Sequence, residues 1–126
     1  MVYIMLVDGF EEIEALEPLD ILRRAGVEAR TVGVVSGSVV GAHGIRVEAD
    51  IAMDAVKKEE MEVLVLPGGP GHQSLDADGG VQALIDYAYE NGIYIAAICA
   101  APSILGKKGL LQGKAATCFP GYEETL

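Results

Sequence analysis

The chain has 126 residues, with 9 lysines and arginines against 19 aspartates and glutamates, a formal charge of −10 and an isoelectric point near 4.5. Hydrophobic residues make up 51% and charged residues 22%, which excludes a disordered chain. The negative balance argues against nucleic acid and anionic membrane surfaces as partners, because both repel it. No apolar run approaches the ~20 residues of a membrane-spanning helix. Length implies a single domain over residues 1–126. Two cysteines, Cys99 and Cys118, do not make a disulfide framework. The opening MVYIMLVDGF lacks a basic leader and an A-x-A cleavage site. These readings predict a soluble, cytoplasmic, acidic domain.

Short apolar runs alternate with helical stretches along the chain. Val2–Val7 reads as a strand buried on both faces, broken by Asp8-Gly9. Glu11–Ala25 reads as a helix with acidic residues early and Arg23 and Arg24 late, matching the helix dipole, and Pro18 predicts a late start or a bend. Val27–Val35 is a second strand. Ser36–Ala49, with Gly37, Gly41 and Gly44 between β-branched runs, predicts a hairpin outside the main sheet. Asp54–Glu60 holds one or two helical turns, and Val63–Leu66 is a third buried strand, closed by Pro67-Gly68-Gly69-Pro70-Gly71. Asp78–Glu90 is a helix with Val81, Leu84, Ile85 and Ala88 on one face. Ile93–Ile98 is a fourth strand and Ala100–Lys107 a helix. Ala115–Phe119 reads as the start of another strand, and Tyr122–Leu126 as the opening of a helix. Strand–helix–strand repetition predicts an α/β fold with a mostly parallel sheet covered by helices.

Three features carry chemistry. In IYIAAICAAPSIL (Ile93–Leu105) an apolar strand runs into Cys99, and a helix follows with Pro102 in its first turn. Alanines on both sides permit a sharp reversal, the geometry of a nucleophile elbow with cysteine in the nucleophile's place. A thiol at a helix N-terminus is expected to ionise more easily, and the next backbone N–H groups are oxyanion donors. An inert buried cysteine is the competing reading. Glu14 shares a helical stripe with Pro18, Ile21 and Ala25, and a carboxyl on such a face must keep its proton or be hydrogen-bonded. Beside a thiolate it would donate a hydrogen bond to sulfur. A solvated acidic helix accounts for Glu11, Glu12 and Glu17. The third feature, LPGGPG (Leu66–Gly71), lets backbone approach a ligand closely, yet lacks a phosphate-loop fingerprint and also reads as a plain turn.

Two histidines complete the inventory. Neither has metal-ligand partners at a recognisable spacing, so no metal site is predicted. His43 falls in the hairpin, at the surface. His72 follows the glycine loop, where it reaches the pocket or is solvated. Cys118 reads as a core residue of its strand.

Together, GFEEIEALEPLDILRRAG (Gly9–Gly26), VLVLPGGPG (Val63–Gly71) and AAICAAPSIL (Ala96–Leu105) resemble the ThiJ/PfpI family, also called the DJ-one superfamily. The resemblance implies a flavodoxin-like three-layer sandwich and a homodimer. It places Cys99 as the elbow nucleophile and Glu14 as the carboxyl bonded to it. It also places Gly68 and Gly69 in the loop beside the sulfur, and Ala100 as a backbone donor. Members are described as glyoxalases or deglycases on methylglyoxal and glyoxal adducts, as oxidative-stress sensors, as chaperones and, in one branch, as peptidases. The implied function is cysteine-dependent stress protection on a small aldehyde or glycated substrate, with no metal or other cofactor. Oxidative sensing or chaperoning is the alternative, followed by an intracellular peptidase or amidase. Two departures stand out. Phe119 occupies the place of a histidine found near the cysteine in several members, which weakens the peptidase reading. The family's domain also continues with another strand and a closing helix, so these 126 residues are expected to lack its C-terminal part.

Overall fold

The computed structural model describes residues 1–126. Its centre is β1 (Val2–Leu6), apolar and buried at all five positions. Alternate side chains of β1 feed two separate cores. Val2, Ile4 and Leu6 pack with Phe10 and Ala15, against Leu16, Leu19 and Leu22 of helix α1 (Glu12–Arg24). Tyr3 and Met5 point the other way, into a larger cluster with Leu84, Ile85, Ala88 and Ile104. A strand serving two cores must be apolar throughout, and the result is three layers.

β1 pairs in parallel with β2 (Ala29–Gly33) on one side and β6 (Val63–Leu66) on the other. A two-residue strand, β5 (Ile51–Ala52), extends the β2 edge, and β7 (Tyr94–Ala97) extends the β6 edge, giving the order β5-β2-β1-β6-β7. The chain therefore reverses its direction of winding between β1 and β6. In parallel sheets the crevice at such a point, beyond the carboxyl ends of the strands, is where ligands bind. The predicted hairpin is present as β3 (Ser38–Val40) and β4 (Arg46–Glu48), an antiparallel pair outside the main sheet. The far layer contains α2 (His72–Ala77), α3 (Gly79–Glu90) and α4 (Pro102–Lys107). Asp78 caps α3 by accepting from the Val81 N–H at 3.0 Å.

Several expectations are corrected. Helix α1 starts at Glu12 and continues unbroken through Pro18, so it does not start late; Pro18 in mid-helix leaves the Glu14 carbonyl without its usual i+4 donor. Its buried face carries Glu12 and Ala15, while Ile21 and Ala25 of the Glu14 stripe are exposed. The stripe instead borders an open apolar groove of about 600 Å³, floored by Val63, Val65, Ala96 and Ile98. Apolar β7 is an edge strand, with Tyr94 78% exposed. Ala115–Phe119 forms no strand. Alternation makes a strand only where a neighbour offers a ladder, and here a gap of about 520 Å³ separates Ala115–Thr117 from Ile95 and Ala97. Cys118 is accordingly half-buried and outside both cores. Tyr122–Leu126 contains a single 3₁₀ turn, Glu123–Thr125. No helix is long and apolar enough to cross a membrane.

Candidate active site

The site lies where three loops meet beyond the ends of β1, β6 and β7. The loops after β1 and β6 are laced together by Gly71 N–H to the Gly9 carbonyl (2.9 Å) and Glu11 N–H to the Gly68 carbonyl (3.0 Å). Gly69 has φ +88, and a Cβ there would lie 2.6 Å from the Gly9 carbonyl oxygen. Gly71 is equally confined: a Cβ there would lie 2.6 Å from the Asp8 carbonyl oxygen. These contacts explain why the loop is glycine-rich without any phosphate fingerprint: two backbones cross at it.

After β7 the chain turns sharply at Cys99, the sole non-glycine residue with positive φ (64°). A left-handed conformation costs a side-chain-bearing residue roughly 1–2 kcal/mol. It is held by Ala101 N–H to the Ile98 carbonyl (3.1 Å) and by Phe119 N–H to the Cys99 carbonyl (2.7 Å). Buried Ser103 donates to the Ala100 carbonyl at 2.6 Å and braces the turn. The strand, the strained turn at Cys99 and the helix that follows have the backbone shape of an elbow.

Glu14 reaches the elbow from α1. Its carboxylate accepts the Gly68 N–H at 2.9 Å and lies beside the Cys99 thiol, whose ionisation it opposes. Gly68 is the wedge between them: a Cβ there would lie 2.6 Å from Cys99 Cβ and 2.7 Å from Glu14 Oε1. Burial pushes the Cys99 thiol up and the Glu14 charge pushes it further, while the N–H groups of Gly69 and Ala100 pull it down without prevailing. The expectation of easy ionisation at a helix N-terminus is thus not met with Glu14 charged. The helix is only six residues long, and burial together with the neighbouring Glu14 charge outweighs what its first N–H groups offer the sulfur.

The structure brings together Cys99, Glu14, Gly68, Gly69 and Ala100. On the open side, Cys99 lines a cavity of about 410 Å³ with Gly69, His72, Ala100, Phe119 and Tyr122. His72 therefore belongs to the pocket wall; it is only 6% exposed, with its ring perpendicular to that of Tyr122. His43 is exposed, as expected, but has partners that sequence spacing does not reveal. Its Nδ1 lies 2.9 Å from Glu12 and 3.5 Å from Glu11, so donor atoms of these three residues come within 4.8 Å of one another.

Glu12 was missed by sequence reasoning. It is 5% exposed, and it accepts from the His43 and Ile45 N–H groups at 2.8 and 3.3 Å. Burial alone would raise its carboxyl. The His43 side chain and the backbone donors of Glu12, His43 and Ile45 outweigh burial and hold it at about 2. His43 is in turn raised, through its bond to Glu12 and then the charges of Glu11 and Glu12. This clamp fastens the hairpin to the first turn of α1, two residues before Glu14. The available signal was Gly41, whose added Cβ would collide with the Glu12 carboxyl.

The model of the DJ-1/PfpI family matches residues 1–126. The chain belongs to the DJ-1/PfpI family. Among characterised members, it is 34% identical to a deglycase of Thermococcus kodakarensis, over 92% of this chain and 70% of that protein. It is also 34% identical to the protein dj-1beta of Drosophila melanogaster, over 98% of this chain and 67% of that one. Oxidized DJ-1 of Toxoplasma gondii superimposes with a TM-score of 0.92 at 32% identity, covering 99% of this chain and 70% of that structure. The flavodoxin-like three-layer arrangement and mostly parallel sheet are those of this family.

Proposed function

We propose that this DJ-1/PfpI protein converts reactive 2-oxoaldehydes, such as methylglyoxal, to 2-hydroxy acids through an intermediate covalently attached to Cys99. The observation that carries the reading is the elbow: a strained cysteine facing an open cavity, with a carboxylate against its sulfur. Relatives carry the name deglycase, which supports a reading in reactive-carbonyl chemistry.

The chemistry balances without an outside oxidant or reductant. The thiol proton passes to Glu14 as sulfur adds to the aldehyde carbon, and the former carbonyl oxygen takes a proton back from Glu14, giving a hemithioacetal. The N–H groups of Gly69 and Ala100 favour the negative charge on sulfur as it attacks. Moving the hydrogen of the former aldehyde carbon to the neighbouring ketone carbon, as a proton, oxidises the first and reduces the second, leaving a thioester. Water then cleaves the carbon–sulfur bond, releases the hydroxy acid and restores the thiol. One oxoaldehyde and one water give one hydroxy acid.

The test is lactate formation from methylglyoxal by the wild-type chain and by Cys99→Ser. Loss of activity in the variant is expected; equal rates would remove the cysteine mechanism. A second reading, oxidative sensing, draws on the same donors, which would hold a sulfinate at Cys99, and on the oxidized relative. Intact mass after dilute peroxide checks it: two oxygens mapped to Cys99 are expected, and oxidation confined to Cys118 or methionine counts against it. A homodimer is the assembly we propose, because Ile13, Ile21 and Ile98 are half or more exposed around the apolar groove. Light scattering giving a monomer mass would exclude it.

A further inference from the structure

Glu14 borders the apolar groove and is not part of the wall of the Cys99 cavity. In the mechanism above Glu14 exchanges protons beside the sulfur, from the groove side; the water that releases the intermediate arrives through the cavity, and its base is sought in that wall. The wall consists of Gly69, Pro70, His72, Gln73, Cys99, Ala100, Phe119 and Tyr122. Of these, once the sulfur is acylated, only an imidazole offers a basic lone pair in its neutral form.

The hydrogen bonds fix which nitrogen is free. His72 Nδ1 lies 2.9 Å from the Gly69 carbonyl oxygen, which also receives the His72 backbone N–H at 3.0 Å. A carbonyl only accepts, so Nδ1 carries the hydrogen and the neutral ring has its lone pair on Nε2. Nε2 has no hydrogen-bond partner, yet no buried side-chain nitrogen or oxygen in the molecule is both sealed and unpartnered. Nε2 is therefore not sealed in the interior, and the ring that carries it lines the cavity with Cys99. Gly69 connects the two groups, its N–H directed at the Cys99 sulfur and its carbonyl at His72.

We propose that His72 is the general base that hydrolyses the Cys99-bound thioester, an inference that rests on the covalent mechanism above. Nε2 takes a proton from water as the water oxygen bonds to the thioester carbon. The carbon–sulfur bond then breaks, sulfur leaves with the electron pair, and the proton on Nε2 passes to it. The role differs from that of Glu14, which exchanges a proton with the thiol when the intermediate forms. The Tyr122 ring packs perpendicular to the imidazole, with centroids 5.2 Å apart.

The experiment compares wild type, His72→Asn and Cys99→Ser with methylglyoxal as substrate. Asparagine keeps a donor for the Gly69 carbonyl and removes the base. Expected for His72→Asn are lactate formation lowered about a hundred-fold, Cys99 carrying the mass of one methylglyoxal at steady state, and iodoacetamide labelling of Cys99 within about two-fold of wild type. Lactate formation within about two-fold of wild type, with Cys99→Ser inactive, would overturn the role of His72 alone. Equal rates for wild type and Cys99→Ser would instead overturn the covalent mechanism, and this proposal with it. A readout on the unmutated chain covers the case of a variant that does not fold. In ¹⁵N spectra at neutral pH the His72 ring should show Nδ1 protonated and Nε2 bare, with the Nε2 signal moving when Cys99 is alkylated. A protonated Nε2 beside a bare Nδ1, or an Nε2 signal indifferent to alkylation, contradicts the assignment.

Discussion

Replacing Gly68 with alanine tests the geometry of the site most severely. The added methyl would lie 2.6 Å from Cys99 Cβ, 2.7 Å from Glu14 Oε1 and 3.0 Å from the Ile98 carbonyl oxygen, whereas carbon contacts settle at about 3.5–4.0 Å. Two of the three obstacles are tied to the backbone of the elbow and cannot turn away. Glu14 can, but only by giving up the Gly68 N–H at 2.9 Å and its place beside the sulfur. Overpacking of this kind costs roughly 1–3 kcal/mol, and a weakened bond to a carboxylate adds to it. We expect a loss of about 2–3 kcal/mol and a fall in Tm of roughly 6–10 °C for a chain of this size. The neutral comparison is Gly37→Ala, where an added Cβ meets nothing within 4 Å. Thermal melts followed by circular dichroism measure the first effect, and iodoacetamide labelling of Cys99 the second. A Gly68→Ala chain that melts with Gly37→Ala and labels at the wild-type rate would refute the wedge.

Three further outcomes follow from the same contacts. Glu14→Gln removes the charge that pushes the thiol up, so alkylation of Cys99 should extend to lower pH, while turnover of methylglyoxal falls about a hundred-fold for want of a proton carrier; alkylation and turnover moving together would contradict this division. Cys99→Gly relieves the positive φ and should leave the chain more stable than Cys99→Ala by about 1 kcal/mol in urea melts, and the reverse order would count against the strain. Because the Glu12 carboxyl is held at about 2 against an ordinary 4.5, its contribution is full above 4.5 and disappears as the pH falls toward 2. Urea melts of Glu12→Gln should therefore show a flatter loss of stability than wild type across that window, and parallel curves would dismiss the clamp.

The parts of the fold legible in the sequence are those whose signal is local. Val2–Leu6 and Val63–Leu66 are apolar at every position because both faces are covered, and Val81, Leu84, Ile85 and Ala88 repeat at helical spacing because one face is. The glycines of the hairpin and the loop after β6 marked turns correctly. What could not be read depends on partners distant in sequence. Ala115–Phe119 has the pattern of a strand and no ladder to join. The Glu14 stripe is apolar yet borders an open groove. Glu12 is one of four acids that look alike in the helix, and only the hairpin, some thirty residues later by the numbering, distinguishes it as buried.

The candidate site divides along the same line. Cys99 and the glycines carry local patterns, a strand breaking at a cysteine and a loop where only hydrogen fits, whereas Glu14 is set apart from its acidic neighbours mainly by the family resemblance. His72 had no pattern of its own. Its importance comes from a carbonyl three residues back and from a cavity assembled out of three loops. Ser103 left a fainter trace, a lone hydroxyl in an apolar helix that bonds a carbonyl in the preceding turn.

The central claim is that Cys99 forms and releases a covalent intermediate. Rapid mixing of the purified chain with methylglyoxal, quenched in acid and followed by peptide mass spectrometry, addresses it directly. The account predicts one methylglyoxal on the Cys99 peptide, gained before lactate appears and lost as the substrate is exhausted, with Cys118 unchanged. Lactate accumulating with Cys99 never occupied would contradict it.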